Sequence, residues 1–108
     1  MTLALREEDG VIERYKREHR AVWPAVITGL RRVGVTKERI FLKGNRLFLY
    51  LEAPSGFDPA VDLGRLNEDP DCRRWDALMR TLQEPVKEAS AGDWWTDMEL
   101  VFDLDWFQ

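Results

Sequence analysis

The sequence predicts an α+β fold of the ferredoxin-like βαββαβ kind, an antiparallel sheet with both helices on one face. Three observations lead there. A short apolar run at Thr2 to Arg6 precedes a stretch whose apolar residues recur three and four apart. Two β-rich runs flank Gly44-Asn45, as in a hairpin. A second helical pattern is followed by one last apolar run at Glu99 to Leu104. Strand, helix, hairpin, helix and strand in that order make the βαββαβ sequence.

Each element has a local reason. Asp9-Gly10 breaks the first strand and starts the first helix. Val11, Tyr15, His19, Val22, Val26 and Leu30 then line one face, with Glu13, Arg14, Lys16, Arg17 and Glu18 on the other. Pro24 lies inside this pattern and must kink the helix or restart it in its own first turn. Gly34 ends it. Arg39 to Leu42 and Leu47 to Glu52 are the hairpin strands around Lys43-Gly44-Asn45-Arg46. Asp58-Pro59 reads as an N-cap and first helical residue, giving a short helix to about Leu66. After a break at Asn67 to Pro70, Cys72, Trp75, Met79 and Leu82 share the face of a second main helix. Pro85 to Asp93 is a loop, and Glu99 to Leu104 is the expected final strand.

Composition bounds the function. With 108 residues there is room for one domain, spanning residues 1–108, and a core of limited size. Five tryptophans must find a core, an interface or a pocket wall. The sheet face without helices needs a cover, and the same face of a second copy supplies one, giving a dimeric α+β barrel. Net charge is −4, with 16 basic residues dispersed among 20 acidic ones, so no basic stripe marks a nucleic-acid partner. The single cysteine, Cys72, permits neither an intrachain disulfide nor a cysteine metal site. No apolar run is long enough to span a bilayer, and the opening residues do not read as a signal peptide, so a cytoplasmic location without a membrane partner is expected.

The ordered set Tyr15-Lys16-Arg17-Glu18-His19, Val22-Trp23-Pro24, Ile40-Phe41-Leu42, Leu47 to Glu52, Cys72-Arg73-Arg74-Trp75, Met79 and Glu99-Leu100-Val101-Phe102 resembles the L-rhamnose mutarotase family over nearly the whole chain. The most specific part is the tyrosine and histidine four apart, followed by Trp-Pro. The resemblance implies a ferredoxin-like homodimer without metal or organic cofactor that equilibrates the α and β anomers of L-rhamnose or a related deoxy sugar. It also implies His19 as acid/base, with Tyr15 and Trp75 functional beside it. Two positions depart from the family pattern. Glu38-Arg39 stands where a tyrosine is usual, and Asp76 stands where relatives often carry the second of two tandem tryptophans.

The residues themselves are compatible with that chemistry. Mutarotation opens and recloses a hemiacetal, which needs one proton delivered and one removed, and no redox step. Histidine, with an ordinary pKa near 6.5, offers both protonation states. His19 and Tyr15 are the catalytic candidates, one turn apart on one helix face. Trp75, Trp23, Glu38 and Asp76 are the candidate substrate-binding residues. The alternatives are a packed structural histidine and tyrosine, core tryptophans, and solvated carboxylates, with Glu38 paired to Lys37 or Arg39. Trp94-Trp95 should cover the pocket mouth or a partner. Phosphate-binding glycine loops, serine nucleophile motifs and metal-ligand spacings do not occur. Two other functions fit the same scaffold: a different cofactor-free enzyme, such as a cyclase, isomerase or oxygenase, and a non-catalytic binding dimer.

Overall fold

A computed structural model describes residues 1–107. Four antiparallel strands lie in the order β2-β3-β1-β4: β1 Thr2–Leu5, β2 Lys37–Lys43, β3 Arg46–Glu52 and β4 Gln83–Glu84. The hairpin turns at Gly44-Asn45, with Lys43 opposite Arg46. Gly44 has φ 62° while Asn45 keeps a negative φ. That is the type II′ pattern, which puts glycine first and matches the twist of the flanking strands.

The helices are α1 Val11–His19, α2 Pro24–Arg32, α3 Pro59–Asp62 and α4 Pro70–Leu82. Pro24 restarts the helix and does not merely kink it. Trp23 before it is extended, at φ −58° and ψ 135°, and the proline takes the first helical position of α2. α3 is shorter than expected. Capped by Asp58, whose carboxylate accepts from the Ala60 N–H, it tightens at once into a 3₁₀ turn over Leu63–Glu68. Asp69 caps α4 in the same way, through the Asp71 N–H, with Pro70 in the first turn.

The core lies between sheet and helices. Leu3, Leu5 and Leu47 project inward from the strands and are wholly buried against Val26, Trp75, Met79 and Leu82. α2 and α4 meet at Gly29, where a Cβ would come within 3.0 Å of Cys72 Sγ and 3.1 Å of Leu66 Cδ2. The opposite sheet face carries Phe41 and Tyr50, half exposed at 55% and 50%.

The expected strand at Glu99–Leu104 does not form. Residues 97–103 have no regular structure, and Leu104–Trp106 is a single 3₁₀ turn. The fourth strand is instead Gln83–Glu84, directly after α4, paired with Leu5 and Ala4. The reason is the shortness of β1. Its free edge is already filled by Gln83–Glu84 at one end and by an isolated bridge from Thr96 to Thr2 at the other. No ladder position on β1 remains for the later run. The consecutive Leu100-Val101-Phe102 also lacks the period-two alternation of a strand with one buried face.

Candidate active site between the helices and the inner sheet face

Two adjoining hollows of about 520 and 580 Å³ open between the helix layer and β2. Both are bordered by Tyr15 and His19 of α1, Trp75 of α4, and Glu38 and Ile40 of β2. Each volume suits a small ligand such as a monosaccharide.

The i to i+4 spacing of α1 stacks His19 on Tyr15, with ring centroids 4.1 Å apart. Trp75 meets His19 edge-on at 5.5 Å. Trp23 in turn meets Trp75 edge-on at 5.2 Å and borders neither hollow, so it braces the tryptophan in front of it. The register of β2 turns Glu38, Ile40 and Leu42 toward the helices, while Lys37, Arg39 and Lys43 face outward. Lys37 pairs with Glu52 at 3.6 Å, so it does not neutralise Glu38. Among the described residues no ion pair or side-chain hydrogen bond reaches the Glu38 carboxyl.

His19 Nδ1 lies 2.9 Å from the backbone carbonyl of Tyr15. A carbonyl can only accept, so Nδ1 carries the hydrogen and Nε2 is left with its lone pair. Burial pushes the imidazole below its usual 6.5, against the smaller opposing effects of that carbonyl and of Glu18. The ring is therefore neutral at neutral pH. Burial also pushes the Glu38 carboxyl above its usual range.

Behind Tyr15 runs a polar chain. The Trp94 indole N–H donates to Gln83 Oε1 at 2.9 Å, and Gln83 Nε2 approaches the Tyr15 phenol oxygen at 3.5 Å. An indole nitrogen can only donate, which fixes the orientation of the amide and leaves its N–H for Tyr15. The phenol is pushed up to about 12, mainly by burial. It therefore stays protonated at neutral pH. Asp76 borders one hollow, but its carboxylate is held at 2.9 Å by Arg80 one turn on, and Arg80 lies 4.6 Å above the Trp94 ring.

Tyr15, His19, Trp75 and Glu38 thus converge, Asp76 stands at the rim in an ion pair, and Trp23 is one layer back. Gln83 and Arg80 were not expected at the site. Gln83 had no sequence signal, because its partners are 11 and 68 residues away in the chain. The Trp94-Trp95 pair did carry a signal. Both are half-buried against the core, and Trp95 borders the first hollow. Among the described residues there is no group of three or more metal-ligating side chains.

Known proteins give this arrangement a context. The model of the L-rhamnose mutarotase family matches residues 1–104. A UPF0734 protein of Dictyostelium discoideum is 42% identical over 98% of this chain and 88% of its own length. An L-rhamnose mutarotase of Lactiplantibacillus plantarum is 33% identical over 86% of both chains. The crystal structure of an L-rhamnose mutarotase from Formosa agariphila shares the fold with a TM-score of 0.60 at 19% identity, covering 85% of this chain and 94% of that one. By sequence along almost its whole length, this chain belongs to the L-rhamnose mutarotase family, a family of isomerases.

Proposed function

We propose that the protein interconverts the α and β anomers of L-rhamnose or a related deoxy sugar, with His19 as the proton carrier. The observation that carries this is the anchored imidazole. Its Nδ1–H is committed to the Tyr15 carbonyl, which leaves Nε2 with its lone pair on a ring that borders a hollow of sugar size. Nε2 takes the proton of the anomeric hydroxyl while a second donor in the cleft protonates the ring oxygen, whose bond to the anomeric carbon breaks with the electron pair going to that oxygen. Rotation about the adjacent carbon–carbon bond presents the other carbonyl face, and the reverse proton transfers close the ring. The Tyr15 O–H donates to a sugar hydroxyl, and Trp75 gives the ring an apolar wall. Asp76 accepts from a sugar hydroxyl at the rim, and the Glu38 carboxyl hydrogen-bonds a sugar oxygen across the cleft. Saturation-transfer NMR on a panel of aldoses tests the reaction. Faster anomer exchange of L-rhamnose or another deoxy sugar supports it, and no acceleration of any sugar refutes it.

In the same reading, residues 1–108 form one mutarotase domain that works as a homodimer. After the Thr96 bridge, the C-terminal arm exposes Leu100, Val101, Phe102, Leu104 and Phe107, with Val101 at 78%. A lone chain rarely leaves so much contiguous apolar surface in water. The half-exposed Phe41 and Tyr50 on the uncovered sheet face give the arm of a second copy somewhere to pack. A cytoplasmic enzyme without nucleic-acid or membrane partners fits the net charge of −4 and the lack, among the described residues, of any helix long and apolar enough to cross a membrane.

A further inference from the structure

Building on the mutarotase reading, we infer that Glu38 is a second acid/base group of the ring opening, partnering His19 across the cleft. Mutarotation needs two proton transfers at two oxygens, and one histidine cannot be at both at once. Glu38 stands on the inward side of β2 and shares both hollows with Tyr15, His19 and Trp75. Among the described residues its carboxyl is claimed by no cation and no hydrogen-bond donor, although Lys37 and Arg39 flank it in the chain. A half-buried carboxyl that no protein group claims keeps its oxygens open to a ligand in the cleft. Burial also favours its protonated form, the form that can donate.

The step balances. His19 Nε2 removes the anomeric hydroxyl proton while the Glu38 carboxyl gives its proton to the ring oxygen. The bond between the anomeric carbon and the ring oxygen breaks, its electron pair going to that oxygen, and the carbonyl forms. After rotation the Glu38 carboxylate takes back the hydroxyl proton as the sugar oxygen attacks, and the imidazolium reprotonates the new anomeric oxygen. The pair ends as it began, with one proton between the two groups.

Other titratable groups line the same two hollows as Glu38. From α1 come Tyr15, Lys16, His19 and Arg20. α4 adds Cys72, with Asp76 and Arg80 already paired to each other, and the rim adds Asp58, Asp93, Asp97 and the Met1 amine, which donates to the Leu49 carbonyl. Burial moves the Tyr15 phenol and the Cys72 thiol upward, away from the neutral range, and the His19 imidazole downward.

The test measures anomer exchange of L-rhamnose by wild type, Glu38→Gln and Glu38→Asp from about pH 5 to about pH 9, the range that shows both limbs of an acid/base pair. Wild type should give a bell. Glu38→Gln should lose about 10²-fold or more in kcat with little change in KM, and keep only the limb that rises with pH as His19 loses its proton. Glu38→Asp should restore part of the rate and both limbs. A Gln variant that raises KM but keeps kcat and the bell would make Glu38 a binding group only and overturn the inference. So would a Gln variant indistinguishable from wild type. A wild-type enzyme that accelerates no sugar would instead overturn the mutarotase reading, and this inference with it.

Discussion

Replacing Gln83 by leucine isolates the polar chain behind Tyr15. Gln83 is buried at 4% exposure, and leucine nearly preserves its volume, so little cavity term enters. Two hydrogen bonds are lost, and they are unequal. The Trp94 bond at 2.9 Å is well formed, and its loss strands a donor-only indole, which costs about 1–3 kcal/mol when buried. Trp94 is only half-buried and partly reachable by water, which favours the low end. The contact to the Tyr15 oxygen at 3.5 Å is at the limit of a hydrogen bond and adds less, roughly 0.5 kcal/mol. The sum, about 1–2 kcal/mol, lowers Tm by about 4–8 °C for each kcal/mol in a domain of this size. Thermal melts by circular dichroism read the loss, and the Trp94 indole N–H resonance should move at the same time. Anomer exchange should weaken but survive, because His19 keeps its own anchor on the Tyr15 carbonyl. A Gln83→Leu variant that melts within about 1 °C of wild type would refute the chain as a structural element.

Two further predictions concern pH and assembly. Folding holds the His19 pKa below the unfolded 6.5, so above that pH both states carry the neutral ring; as pH falls below it, the unfolded chain takes a proton that the folded one resists, and stability drops until the folded pKa is passed. His19→Gln should remove that part of the acid destabilisation, seen as a wild-type minus variant difference in chemical-denaturation free energy that is constant above about pH 6.5 and changes below it, against wild type; a difference independent of pH throughout would contradict the burial argument. Deleting residues 98–108 should convert a particle of twice 12.7 kDa into one of a single chain by light scattering, and a full-length protein that is already monomeric would refute the role given to the arm.

Local signals made much of this readable from the chain. The hairpin followed from Gly44-Asn45 between two β-rich runs, since a two-residue turn with glycine leaves few alternatives. The convergence of Tyr15 and His19 followed from helical spacing alone, and Trp75 from its place on the apolar face of α4. The fourth strand was not readable. Two residues, Gln83-Glu84, have no periodicity to detect, whereas Leu100-Val101-Phe102 has the composition of a strand but no ladder position left beside β1. Glu38 was legible as a departure from the family pattern, but its lack of a partner depends on Lys37 turning to Glu52, a cross-strand choice set by register. The capture of Asp76 by Arg80 is an ordinary i,i+4 helix pair, yet the chain offers several such pairs with nothing to single this one out.

The central claim, that His19 carries the proton, is tested most directly by saturation-transfer NMR of L-rhamnose with wild type and His19→Asn side by side. Asparagine can still offer an N–H to the Tyr15 carbonyl but cannot exchange a proton near neutrality. The account predicts exchange accelerated by wild type and reduced by about 10²-fold or more in the variant, with the melting curve little changed. A variant that exchanges the anomers as fast as wild type would contradict it.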